Sequence, residues 1–479
     1  MHMLHKMIRS AIVIPCVFSL ALHAGLAEDR GAAQKLMKDG NWKEALAAYR
    51  KLTTRRRGDS PYLVCEDLDA GIQCIRRLRQ EKEFGSFVED TVKKQKRNWR
   101  LLQRAANAYQ HSNHYGFIID GEFQRGRHRG GGKYANVQER DRIRALQLMD
   151  QAGKRVRDEK NANAAAGFYL DYARLYIRNG NQSWRMQTLT DIETLPDVQE
   201  GHYHGGGSRN GAPVDRDGKA VLHSIPETFK SAVNDGERWR WLLDRAVEVF
   251  PNSADQTRTV LADFLHGQFG VQTMQQYGWF FRARDDEDGP RTYDLHTLGE
   301  TETICQLAGG IQRFELPDEF AFVKIYEQIA KEGNSNWKRQ AISKLATIFE
   351  NRRQYEKAVR WWRRYKLLGK NEKKHGEDRI RQIVGNWGQF ETVSSQPAGR
   401  AATVEFRFRN GRKVAFTAYQ VLLDKLLADV RTHIRNNPKR LDWNKINIQN
   451  LGRRLVWENQ KKYIGSKVAE WSLGLKPRP

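Results

Sequence analysis

Cysteine is scarce: Cys16, Cys65, Cys74 and Cys305 are the only four in 479 residues. Cys65 and Cys74 fall nine apart on one expected helix, on different turns, so a bond between them is not expected. A chain so poor in cysteine carries no disulfide framework, and Cys65, Cys74 and Cys305 read as small buried hydrophobes. Long apolar runs are equally sparse. The stretch from Ala11 to Leu22 is the clearest, and it is shorter than the roughly 20 residues that a helix needs to cross a bilayer. Lys6 and Arg9 precede it and Gly25, Leu26 and Ala27 follow, which is the layout of a cleavable secretory leader over residues 1–27. Export to the periplasm or beyond the cell is therefore expected, with no stable transmembrane anchor after cleavage. Ile14 and Pro15 do not make a lipobox before Cys16, so lipid attachment there is not expected.

Signatures of chemistry are missing too. The sequence holds no Gly-x-Ser-x-Gly elbow, His-Glu-x-x-His helix, Walker loop or dinucleotide fingerprint. No catalytic, cofactor-binding or metal-ligating residue is assigned, and the chain is read as a non-enzyme.

What is present is helical periodicity. Ile342, Leu345, Ala346 and Phe349 recur at helical spacing, a polar break follows at Asn351 to Gln354, and Tyr355, Ala358, Val359 and Trp362 resume the same period. Two short amphipathic helices joined by a tight turn are expected, each needing a neighbour to bury its stripe. Trp42, Ala45 and Tyr49 repeat the spacing of Tyr355, Ala358 and Trp362 behind a Gly40-Asn41 turn. Further stripes fall at 63–78, 99–109, 143–156, 164–177 and 239–250. The expected architecture is mainly α: a degenerate tetratricopeptide-like array of helical hairpins over 28–390, followed by a small α+β domain.

Loop insertions interrupt the array near 111–136 and 193–226. The first contains Arg125 to Arg129 and the triplet Gly130 to Gly132, a composition expected to lie on the surface without a packed element. The second contains His202 and His204, which would point to opposite faces of a strand; even with His223 the set falls short of a zinc site, and a loosely ordered loop is expected. Asp285 to Asp288 lack the alternating ligands of a calcium loop. Arg240, Arg363 and Arg364 could meet an anion, and Trp239, Trp241 and Trp361 could stack on a ligand, but their helical positions fit packing and solvated edges better.

Residues 391–400 read as a linker. Beyond it, Val404, Phe406 and Phe408 alternate with polar residues, and Asn410-Gly411 offers a hairpin turn into Val414, Phe416 and Ala418. Helices are expected over 419–434 and 446–455, with a final strand through Trp471, Leu473 and Leu475, all within a domain of residues 401–479.

Charge leaves two functional readings open. A net +25 attracts nucleic acid or another anionic polymer, yet the basic residues are interspersed with 57 acidic ones rather than gathered in one arm. The first reading is an exported scaffold that contacts another protein; the alternative is a basic exported binder of nucleic acid or another anionic polymer.

Phe406 to Gly411, Val414 to Ala418, Lys462 to Gly465 and Val468 to Trp471, with Arg129 to Gly132, Glu237 to Trp241 and Leu316 to Phe320, resemble the N-terminal region of large bacterial alpha-2-macroglobulin-like proteins of the planctomycete type. The resemblance covers nearly all of the chain after the leader. It implies export and a part in a protease-trapping system. The family's thioester motif and macroglobulin sandwich domains have no counterpart around Cys65, Cys74 or Cys305, so a complete thioester trap is not expected. Macroglobulin-like domains from a neighbouring gene product are then an expected partner.

Overall fold

The computed structural model describes residues 25–55, 59–177, 183–202, 211–271, 294–391, 396, 403–436, 440–442 and 461–476. Most of the leader, His204, the acidic run Asp285 to Asp288, most of the linker and the helix expected over 446–455 lie outside them. The chain divides into two compact units, 1–361 and 362–479.

The first unit is mainly helical, with helices packed in sequential pairs. Helix α1 (25–38) leads into α2 (Trp42–Thr54), which packs on α3 (Pro61–Leu78); α4 (Phe84–Lys94) and α5 (Trp99–Gln110) follow. The α1–α2 turn has a physical signature. Gly40 takes φ +82°, its N–H donates to Met37 O and the Asn41 N–H reaches back to Leu36 O at 2.8 Å, closing the helix end with a left-handed residue. Arg79 and Arg353 do the same at φ 55° and 56°, with Gln80 N–H donating to Ile75 O and Gln354 N–H to Phe349 O. Leu36-Gly40-Asn41 and Phe349-Arg353-Gln354 are thus equivalent turns ahead of the equivalent helices at Trp42 and Tyr355. The start of a helix is marked repeatedly by asparagine: Asn98, Asn161, Asn234 and Asn334 each accept a backbone N–H through the side-chain oxygen, a cap that contributes about 1 kcal/mol.

Between α5 and α6 (Gln138–Val156) the chain forms strands β1 (Tyr115–Ile119), β2 (Glu122–Arg125) and β3 (Lys133–Asn136), joined by the short β4 (Gln199–Glu200) in an antiparallel sheet ordered β2-β1-β3-β4. This corrects the expectation of an insertion without packed elements. Asp120 and Gly121 both take positive φ, 50° and 82°, giving the two-residue turn that matches strand twist. The glycine triplet is the β2–β3 connection, where a Cβ on Gly132 would sit 3.2 Å from Ile118 O.

Helix α7 (Ala162–Tyr176) packs on α8 (Asp235–Val249), and one buried cluster runs from Leu26 to Ala246. The described part of the second insertion is tied down: Ala212 N–H donates to Gln306 O and Ala212 O accepts from Ala308 N–H, both 2.8 Å, pinning it to hairpin β5 (Glu302–Leu307) and β6 (Gly310–Glu315). Helices α9 (Ala254–Phe269), α10 (Phe322–Glu332), α11 (Ser335–Asn351) and α12 (Tyr355–Tyr365) complete the series.

In the second unit, α13 (Lys370–Val384) is followed by β7 (Trp387–Phe390), β8 (Phe406–Arg409), β9 (Lys413–Val421), α14 (Leu423–Asn436) and β10 (Ile464–Gly474). The hairpin expected at Asn410-Gly411 is corrected. Phe406 to Arg409 pair with Trp387 to Phe390, the residues just before the expected linker, and β9 pairs with β10. Asn410 still takes φ 60°, but its side chain donates to Ile383 O and Gly385 O at the end of α13. Phe390, Phe406, Phe416 and Trp471 gather across the ribbons, with Phe416 stacked on Trp471 at 5.3 Å.

Candidate functional site

The residues singled out from the sequence are largely consumed by packing. Cys65, Cys74 and Cys305 are free and buried. Burial raises their thiol pKa values, to about 11 for Cys65 and about 12 for Cys305, so none is a poised thiolate. Trp239 is buried against Phe264 at 4.6 Å, and Trp241 meets Tyr169 and Phe229 edge-on. Arg363 and Arg364 lie exposed on α12. His202 rests against the rings of Tyr115 and Tyr134, far in type from a ligand set, and no group of His, Cys, Asp and Glu among the described residues could hold a metal ion.

Ser112, His114 and Asp141 have the composition of a nucleophilic triad but the wrong wiring. His114 Nδ1 donates to Asp141 Oδ2 at 2.7 Å, Ser112 Oγ lies 3.2 Å from that same oxygen, and His114 Nε2 faces Gln110 O. In a working triad the imidazole stands between hydroxyl and carboxylate; here the carboxylate is the hub. Burial pushes Asp141 up, but the hydrogen bonds from His114 and Arg125 outweigh it and hold the carboxyl below its usual range.

A cleft on the first unit is better placed for contact. Gln147, Asp150, Gln151 and Lys154 line one side at helical spacing on α6, the segment 189–193 forms another, and Phe229, Lys230 and Arg238 close it. The segment is held in place. Thr190 N–H donates to Asp235 Oδ1 at 3.0 Å, Arg238 Nη1 to Thr190 O at 2.8 Å, and Gln147 Nε2 to Glu193 O at 3.3 Å. Asp235 itself is buried at the start of α8 and receives Arg142 Nη2 at 3.3 Å. Backbone N–H groups of Glu193 and Thr194 donate to the exposed Asp191 carboxylate and lower its pKa. Asp150, Asp191 and Glu193 oppose Lys154, Lys230 and Arg238, while Leu189 is half exposed beside them. Such a surface has charges of both signs, an apolar foothold and a fixed backbone. Nothing in the sequence pointed to it, because its walls come from segments some 40 to 90 residues apart joined through Asp235.

A second concavity, between α8 and α9, is small and walled by Val221, Leu222, His223, Trp239, Arg240 and Phe269 among others. Burial pushes His223 down to about 4, with Glu237 and the Asn234 side chain acting weakly the other way. Arg240 stacks over Phe320 at 5.1 Å, and its nearest carboxylate, Glu319, stands 3.9 Å away. Among the described residues no helix is long and apolar enough to cross a membrane. No protein-family model and no curated protein matches the chain.

Proposed function

We propose that the chain is an exported, non-catalytic scaffold: a degenerate tetratricopeptide-like array of helical hairpins with a small α+β domain, acting through contact with another protein. The observation that carries this reading is the cleft beside Thr190. Its acids and bases balance, so it suits a polypeptide segment with charges of both signs better than a polyanion, and Leu189 and Phe229 offer an apolar anchor point. Its floor is preorganised by Asp235, which lowers the ordering cost of binding. Consistent with the sequence resemblance, macroglobulin-like domains supplied by a neighbouring product are the proposed partner, placing the chain in a protease-trapping system.

The equivalent turns at Gly40 and Arg353 support the hairpin-array reading, since they set the same relation between successive helices near both ends of the first unit. The alternative reading, an anionic polymer as ligand, draws on the exposed Lys370, Lys373, Lys374 and Arg381 of α13 within a chain of net +25.

A photo-crosslinking residue at Leu189, compared with one at Tyr62, tests the reading in the exported fraction. The expected result is one discrete polypeptide adduct at 189 and none at 62. Adducts at neither position, or nucleic acid as the bound species, would count against a protein-contact role.

A further inference from the structure

The small cavity between α8 and α9 gathers buried polar atoms that no hydrogen bond among the described residues satisfies. Trp239, Arg240 and Gln268 are 1, 6 and 7 % exposed, and Trp239 Nε1, Arg240 Nη1 and Gln268 Nε2 have no hydrogen-bond partner; His223, 4 % exposed, likewise meets none in bonding geometry. All four line the same small space, which holds about one water-sized body. Buried polar groups are ordinarily paired, so a cluster of unpaired ones on residues that line a common space points to a site rather than chance packing.

The chemistry of the occupant follows from the groups present. Trp239 Nε1 and the Arg240 guanidinium are donors only, and the Gln268 amide nitrogen adds further N–H groups. His223 in its neutral form offers one N–H and one acceptor. Donors therefore outnumber acceptors. Arg240 also brings a positive charge whose counter-charge is incomplete: Glu319 stands 3.9 Å away and its side chain is 68 % exposed. A cation is excluded by that charge, and a water would accept hydrogen bonds without neutralising it. Size narrows the choice again, since the free space admits about one water-sized body and leaves no room for phosphate, sulfate or a substrate.

We propose that this cavity binds a single halide-sized anion, chloride under ordinary ionic conditions, held by Arg240 Nη1, Trp239 Nε1 and Gln268 Nε2. The ion ties α8 to α9, so its binding stabilises the first unit. The inference is independent of the partner-binding role.

The test uses the full chain in two measurements. Crystals soaked in sodium bromide should give an anomalous peak inside the cavity, and the thermal midpoint should rise saturably, by about 2–4 °C, in sodium chloride over sodium gluconate at equal ionic strength. Gln268→Leu should fold and lose the difference between the two salts; if it does not fold, the wild-type salt comparison and the bromide peak decide alone. An ordered water in the cavity with no anomalous signal overturns the proposal. So do identical midpoints in the two salts, including the case of a bromide peak seen at crystal concentration only.

Discussion

Arg125 grips Asp141 with both guanidinium nitrogens, Nη1 to Oδ2 at 2.7 Å and Nη2 to Oδ1 at 2.9 Å. The pair fastens strand β2 to the first turn of α6, and both side chains are at least nine-tenths buried. Removing one partner leaves the other charged and dry. Asp141→Ala should lower unfolding free energy by about 3–5 kcal/mol, the usual range for breaking a buried pair. Urea unfolding followed by circular dichroism measures it, and a loss under about 1 kcal/mol would place the pair with ordinary surface bridges.

The histidines set an acid sensitivity. Burial holds His223 and His266 at about 4, below the ordinary 6.5. Between those values the unfolded chain takes up protons that the folded chain refuses. Stability is therefore complete above about pH 6.5 and falls as pH drops toward 4, by up to about 3 kcal/mol per histidine. Asp67 and Asp69, raised by burial, act in the opposite sense at the lower end of the window. Urea midpoints at about pH 7 and pH 4.5 should differ accordingly, and His266→Gln should flatten the slope. An unchanged slope would show that His266 is not the buried neutral group described.

Gly71 lies in mid-helix, where alanine is ordinarily the better residue by about 1 kcal/mol. Here a Cβ would stand 2.2 Å from Phe87 Cζ, and Phe87 is itself 1 % exposed. Gly71→Ala should therefore destabilise, by about 1–3 kcal/mol, and Gly71→Ala combined with Phe87→Leu should lose less than the sum of the two single changes. Strict additivity would mean that α3 and α4 do not meet at this point.

Arg79 ends α3 with φ 55° and an exposed side chain. A left-handed conformation costs a side-chain-bearing residue about 1–2 kcal/mol, and glycine returns part of that as unfolded-chain entropy. Arg79→Gly should stabilise the chain by about 0.5–1 kcal/mol, seen as a higher urea midpoint with an unchanged denaturant slope. Destabilisation would imply that the arginine side chain has a role the helix end does not reveal.

Helical stripes were legible because burial repeats at a local period. Ala45 and Ala358 are fully buried, and Tyr49 and Trp362 nearly so. The matching first aromatic departs from the stripe: Tyr355 is 48 % exposed, standing at the helix start where the stripe has not yet turned inward. Strands were harder. Asp120-Gly121 between YGFII and EFQR is a hairpin signal in plain view, masked by the basic, glycine-rich run after it, and Leu307 to Gly310 hides another. Asn410-Gly411 misled in the opposite way. The dipeptide fixes a positive φ locally, but which strand Phe406 to Arg409 joins depends on a partner, Trp387 to Phe390, that lies before the linker. Neither the cleft at Thr190 nor the cavity at Arg240 has a spacing signature, since each is assembled by tertiary packing.

The most direct test of protein contact rather than polyanion binding is the salt dependence of partner affinity. Full chain and the polypeptide crosslinked through Leu189 should bind with a Kd that changes less than about tenfold between roughly 50 and 200 mM salt. A fall in affinity of about a thousandfold or more over that range, the behaviour of a protein neutralising several phosphates, would contradict the account.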